Sequence, residues 1–239
     1  MAQNSNGVVL VTGANGALGA AVVARCAADG ALVVALERSR NRDVALERVS
    51  ANVLRLQAST SDAAALANAL ARAEAELGPL SGAVLTAGAW RGGHKFYETE
   101  AAADYRSVMD ANLEVTQVAL RALLPGMVKR KRGSVVLIGS RSGVRPYDAP
   151  GDAAYAAAKA AITALAQAIA AEVLADGVRV NLVLPSTIDT EANRKAMPDA
   201  DHARWVTTDS LGDVIQFLLS ERARDISGAA VPVYGRANV

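Results

Sequence analysis

One cysteine, Cys26, and two histidines stand among 239 residues. So little sulfur excludes an internal disulfide framework and a cysteine-rich metal site, and it fits a reducing compartment. Cys26 falls on an apolar helical stretch and reads as a small core residue. Neither His94 nor His202 has a metal-ligand pattern around it, so no metal is expected. An excess of one charge is missing as well. Lys and Arg number 25 against 24 Asp and Glu, and a formal net charge of +1 leaves no global field for nucleic acid or an anionic membrane. The cluster "KRKR" at 129–132 fits a helix end, where cations complement the dipole, better than a nucleic-acid patch. The alanine-rich stretch 153–175 is interrupted by Lys159 and Glu172 and reads as a packed helix, not a membrane span. The opening "MAQNSNG" lacks the basic-then-apolar order of a secretion signal, so a cytoplasmic protein is expected. No segment recurs at a fixed period.

What the chain does have is alternation. Short aliphatic runs at 8–12, 31–36, 53–57, 83–86, 134–138, 178–184 and 230–233 read as strands. Segments of helical period at 17–29, 62–76, 101–129, 152–175 and 208–220 lie between or beside them. Strands continuous in Val, Leu and Ile belong to a parallel sheet covered on both faces, whose crossovers are right-handed helices. The expectation is an α/β Rossmann fold, a doubly wound parallel sheet of about seven strands, with 1–239 as one domain.

The first strand runs into "TGANGALG", with Gly13, Gly16 and Gly19 three apart. Glycines between a strand and a helix let the backbone approach a ligand, and the helix N-terminus offers free N–H groups to an anion. A tight turn in a small-residue chain is the plain reading; the position on the first strand of a βαβ unit favours a pyrophosphate cradle. The second strand ends in Glu37, eighteen residues after Gly19, where a carboxylate accepts from an adenosine ribose and repels a 2′-phosphate. That favours NAD(H). Arg38 beside it leaves NADP(H) open, either pairing with such a phosphate or beginning the solvated run "ERSRNR".

In "YAAAK", Tyr155 and Lys159 stand one helical turn apart on one face. A free phenol with a pKa of about 10 is a poor base at neutral pH, and bringing it near neutrality takes about 4 kcal/mol of differential interaction. Lys159 and an oxidised nicotinamide are the two cations expected to supply it. The plain alternative is a packed Tyr beside a solvated Lys. Ser140 follows an apolar strand, at the carboxyl edge where such sheets bind ligands. Asn112 falls within a long helical stretch, where Asn has poor propensity, and is therefore expected to serve a polar task. Trp90 and Trp205 are candidates for stacking on a flat substrate, with packing as the alternative for each. The alanine face of 152–175 suits a symmetric interface, so a homodimer or homotetramer is expected.

With "TGANGALG", "LTAGAW", "ANLEV", "IGSRSG", "YAAAK" and "LPSTIDT" in this order, the chain resembles the short-chain dehydrogenase/reductase family over nearly its full length. The resemblance implies an NAD(P)-dependent oxidoreductase acting on a small carbonyl or alcohol. It makes Tyr155 the acid/base and Lys159 the group that lowers its pKa and binds the nicotinamide ribose. Ser140 would position the substrate oxygen, and Asn112 would support a water relay to Lys159. Asn15, Ala17, Leu18, Ala87 and Gly88 would join the three glycines around the cofactor. Pro185, Thr187, Ile188 and Thr190 would border the nicotinamide, and Ser142 the substrate.

The chain also departs from the usual pattern. Ala17 replaces a glycine, Ser59 stands where many members carry an adenine-contacting Asp, and Thr86 replaces an Asn. The segment 184–205, "GALG" and "AGAWRGG" are similar to dihydropteridine reductases, so reduction of a quinonoid dihydropterin is the close alternative. A nucleotide-binding sensor or scaffold without catalysis is the alternative from another class.

Overall fold

Val8 and Leu10 pack into one buried cluster while Val9 and Val11 pack into another, because successive side chains of a strand point to opposite faces. Val135 and Leu137 divide from Val136 and Ile138 in the same way. A sheet apolar on both faces needs helices on both.

The computed structural model describes residues 7–38 and 45–237. The polar opening 1–6 and part of the "ERSRNR" run, 39–42, lie outside the described residues. The strands are β1 (Val8–Thr12), β2 (Leu32–Arg38), β3 (Ala45–Arg48), β4 (Val53–Ala58), β5 (Leu80–Leu85), β6 (Gly133–Ile138), β7 (Val178–Pro185), β8 (Ile188–Asp189), β9 (Val206–Thr207) and β10 (Ala230–Val233). Eight of them form one sheet in the order β10-β7-β6-β5-β1-β2-β4-β3, and β8 and β9 pair separately. All neighbours in the large sheet are parallel except β3, which runs antiparallel to β4 at the edge. This edge strand is an addition to the seven expected. Its sequence, "ALER", has neither β-branching nor aromatics.

The helices are α1 (Ala17–Ala28), α2 (Ala63–Leu77), α3 (Thr99–Met109), α4 (Val115–Arg130), α5 (Arg141–Val144), α6 (Ala153–Val173), α7 (Glu191–Ala196) and α8 (Thr208–Leu219). Residues of α2, α4 and α6 share the first cluster, and those of α1 and α8 the second. Cys26 belongs to the second, its thiol pushed up to about 11 chiefly by burial. The helix expected at 101–129 is interrupted by a π turn at Asp110–Glu114. The basic cluster falls at its end, with Lys131 as a left-handed C-cap and Arg130 bonded to Glu74 and to the Leu80 carbonyl. By length and composition Ala153–Asp176 would cross a membrane. In the fold its inner side, including Ile162, Ala166 and Ala170, belongs to the core of the sheet.

From β1 the chain winds outward through β2 and β4, then returns to β5 on the other side of β1 and continues through β6, β7 and β10. The connections leaving β1 and β5 therefore diverge and open a crevice at the carboxyl edge.

Candidate active site

Between β1 and α1 the backbone turns through Gly13 at φ +63°, a left-handed value that glycine adopts at little cost. A Cβ on Gly19 would lie 2.1 Å from the Gly13 carbonyl oxygen, so the first turn of α1 rests directly on the loop. Gly16 takes the N-cap position without a side-chain cap, and no acidic residue stands in the first turn. The helix end thus keeps its N–H groups and positive dipole for an outside anion. A cavity of about 1330 Å³ opens here, walled by Gly13, Asn15, Gly16, Ala17, Leu18 and Gly19. Of the other residues expected at the cofactor, Arg38, Ala87, Gly88, Ile188 and Thr190 line it too. Sequence reasoning passed over Thr60, Ser61 and Asn193, which line it with Ser59. A bare helix N-terminus beside a long crevice with hydroxyls at one end fits a dinucleotide.

Glu37 stands outside this wall. Arg55 Nε lies 3.3 Å from one of its carboxylate oxygens, and Gln57 Nε2 donates to the other at 3.4 Å. Arg55 also donates to Glu47 of the added edge strand at 2.8 Å. Pro185 ends β7, and the Thr187 carbonyl accepts from the Val206 N–H at 3.0 Å; neither lines the cavity. Thr86 donates to the Thr12 carbonyl at 2.5 Å, and the Thr12 hydroxyl accepts from the Ala87 N–H at 3.3 Å. Two hydroxyls thereby stitch β5 to β1 where the family pattern has an Asn.

Asn112 occupies the π turn and is fully buried. Its Nδ2 donates to the carbonyls of Ala89 at 2.7 Å and Val108 at 2.9 Å, while Oδ1 is buried without a partner. That oxygen borders the space left by the hydrogen side chain of Gly88. A Cβ there would lie 2.7 Å from Asn112 Oδ1 and 3.5 Å from Lys159 Nζ. An orphan acceptor and an ammonium thus face the same glycine, whose lack of a side chain lets Asn112 pack against it.

Lys159 is buried on α6 and donates to the Ile138 carbonyl at 2.9 Å, with Nζ 5.6 Å from the centre of the Tyr155 ring. Burial pushes its pKa down to about 8. Ser140 follows β6, and its hydroxyl accepts from the Ser142 N–H at 3.2 Å. Burial raises the Tyr155 phenol above its usual 10, Ser140 pulls it back, and the Asp152 charge raises it further.

Trp90 is 58% exposed, and its Nε1 donates to Asp152 Oδ1 at 3.1 Å. Trp205 packs against His202, ring centres 4.4 Å apart, at the close of the turn His202–Arg204. Neither indole lines the cavity wall. The segment carrying α7 is closed at its base by the short β8–β9 ladder. A second cavity, of about 520 Å³, opens at the opposite edge of the sheet among Gly82, Ser134 and Arg179, away from these groups.

The chain matches the short chain dehydrogenase family over residues 7–201. It is 34% identical over 192 residues to the inactive 2-(S)-hydroxypropyl-CoM dehydrogenase 2 of Xanthobacter autotrophicus, covering 74% of this chain and 82% of that one. With the 2,5-dichloro-2,5-cyclohexadiene-1,4-diol dehydrogenase LinX of Sphingobium indicum, identity is 32% over 240 positions, covering 95% and 94% of the two chains. A solved oxidoreductase of the short chain dehydrogenase/reductase family from Burkholderia thailandensis superposes with a TM-score of 0.80 at 34% identity, covering 95% and 91%. The chain therefore belongs to the short-chain dehydrogenase/reductase family and is an NAD(P)-dependent oxidoreductase.

Proposed function

We propose that the protein transfers a hydride between a nicotinamide dinucleotide and a small carbonyl or alcohol, with Tyr155, Lys159, Ser140 and Asn112 as its working residues. The observation that carries this reading is the convergence of the four: Ser140 close enough to Tyr155 to pull its phenol down, Lys159 Nζ 5.6 Å from the centre of the Tyr155 ring, and the unpartnered Asn112 Oδ1 facing the same glycine, Gly88, as Lys159. A nicotinamide dinucleotide held by the Gly13, Gly16 and Gly19 loop would supply or accept the hydride. In reduction, Tyr155 gives its proton to the substrate oxygen while Ser140 holds that oxygen. The phenolate then regains a proton from the side of Lys159 and Asn112. In oxidation the same proton travels the other way.

Gly13, Gly16 and Gly19 with the α1 N-terminus hold the pyrophosphate, and Ile188 and Thr190 border the nicotinamide end. Glu37 favours NAD(H), moderated by its pairing with Arg55. Reduction of a dihydropterin is supported only by the likeness of 184–205 and by the indole of Trp90. The Ser140 hydroxyl, near enough to Tyr155 to lower its phenol, supports a carbonyl oxygen instead. A sensor without catalysis has an inactive relative beside it, but the four assembled residues speak for chemistry. The outer side of α6 presents Ala157, Ala160, Ala164, Ala168 and Ala171 exposed along one face, which supports a homodimer or homotetramer. A cytoplasmic location completes the proposal.

Tyr155→Phe tests it. Turnover of carbonyl substrates should fall by about 10²-fold or more, with cofactor binding by calorimetry retained. Unchanged turnover in the variant would overturn the assignment.

A further inference from the structure

Asp152 is the N-cap residue of α6, yet its side chain makes no cap hydrogen bond. Aspartate is favoured at that position because its carboxylate can accept from the first free N–H groups of the helix. Here Oδ1 is turned instead to the indole Nε1 of Trp90, 3.1 Å away, on the loop leaving β5. The two loops are close elsewhere. The Gly93 N–H donates to the Gly151 carbonyl at 3.1 Å, and a Cβ on Gly92 would fall 2.6 Å from Asp152 Oδ1.

The tether joins the two elements that carry the proposed site. Ala89, just before Trp90, accepts from Asn112, and Asp152 stands three residues before Tyr155. Trp90 is fixed at its polar end and still 58% exposed, an arrangement that leaves much apolar ring surface in water. Burying that surface against a ligand recovers the cost.

We infer that Asp152 is a positioning residue: by holding Trp90 through its indole nitrogen, it makes the ring a fixed planar wall at the start of α6, the helix that carries Tyr155, and this wall selects cyclic over open-chain carbonyl substrates. A ring substrate meets a flat wall with one rigid face, whereas an open chain loses rotational freedom to make the same contact. This rests on the proposed hydride-transfer reading.

The test compares wild type, Asp152→Ala, Asp152→Asn and Trp90→Phe on two probes of equal carbon number, cyclohexanone and hexan-2-one. With tryptophan fluorinated, the protein has two indole signals by ¹⁹F NMR, and Trp90→Phe identifies one. In the complex with oxidised cofactor, where a ketone binds without turnover, cyclohexanone should shift the Trp90 signal more than hexan-2-one does. Asp152→Ala should broaden or split that signal. It should also lower the cyclohexanone to hexan-2-one ratio of kcat/KM by roughly three- to tenfold, mainly through KM. Asp152→Asn keeps an acceptor oxygen and should restore most of both. Because no cap bond is lost, a weakened α6 does not imitate this pattern.

A ratio unmoved in Asp152→Ala, or a Trp90 signal that ignores cyclohexanone, overturns the inference. Neither ketone binding nor reacting overturns it too. Tyr155→Phe separates the two levels: if it abolishes turnover while the ratio stays flat, only the role of Asp152 falls; if it leaves turnover intact, the reading of the site falls.

Discussion

The Lys159 ammonium donates to the Ile138 carbonyl oxygen at 2.9 Å, so the end of β6 and α6 are joined by a buried cation. The unfolded chain holds this proton up to about 10.5, the folded chain only up to about 8. The fold therefore bears the cost of a buried charge, about 3 kcal/mol, at any pH below 8, and sheds it as the pH climbs through that window. Lys159→Met should raise unfolding stability of the cofactor-free protein at neutral pH by about 1–2 kcal/mol, since the Ile138 carbonyl loses its donor. The gain should shrink toward pH 10.5, with turnover lost throughout. Urea midpoints across that range check the sign; a variant less stable at neutral pH contradicts it.

Cofactor binding should depend on the absence of a side chain at Gly19. A methyl group there would sit 2.1 Å from the Gly13 carbonyl oxygen, which is backbone and must move the loop to yield. Gly19→Ala should weaken NADH and NADPH binding by at least about tenfold in calorimetric titration. Circular dichroism should report an unchanged helix and strand content.

Discrimination between the two cofactors should pass through Arg55. Its guanidinium lies 3.3 Å from Glu37 and offsets the carboxylate that would otherwise repel a 2′-phosphate. Arg55→Gln bares that charge and should raise the preference for NAD(H) over NADP(H). The pair is partly exposed, so a change of up to about fivefold in the ratio of dissociation constants is expected. A ratio moving toward NADP(H) would reverse the role given to Glu37.

Much of this architecture is written in local pattern. Aliphatic runs such as Val8 to Val11 can bury both faces only in a covered sheet, and "YAAAK" places Tyr155 and Lys159 on one helical face whatever surrounds them. Asn112 is marked by its poor helix propensity, and it falls within the π turn Asp110–Glu114. Other features depend on what the fold brings near. The edge strand β3 has no strand composition and is held by pairing with β4 and by Glu47 meeting Arg55. Glu37 looks like a ribose ligand until Arg55, on the neighbouring strand, turns out to engage it. Asp152 has the sequence of an ordinary helix cap, and only the approach of the Trp90 loop gives its carboxylate another partner.

The β8–β9 ladder pairs Ile188 with Val206 and Asp189 with Thr207, so residues 190–205 leave and re-enter the fold through one neck. Val206 is buried at that neck, which anchors it to the core beneath. Between Thr190 and Asn193, which line the cofactor cavity, and Arg204, which accepts from the Arg236 N–H, composition can therefore change without disturbing the register of the large sheet. The fold separates a fixed reactive centre from a rim whose outer part is held at only a few points, and new substrate preferences can arise there while the chemistry stays the same.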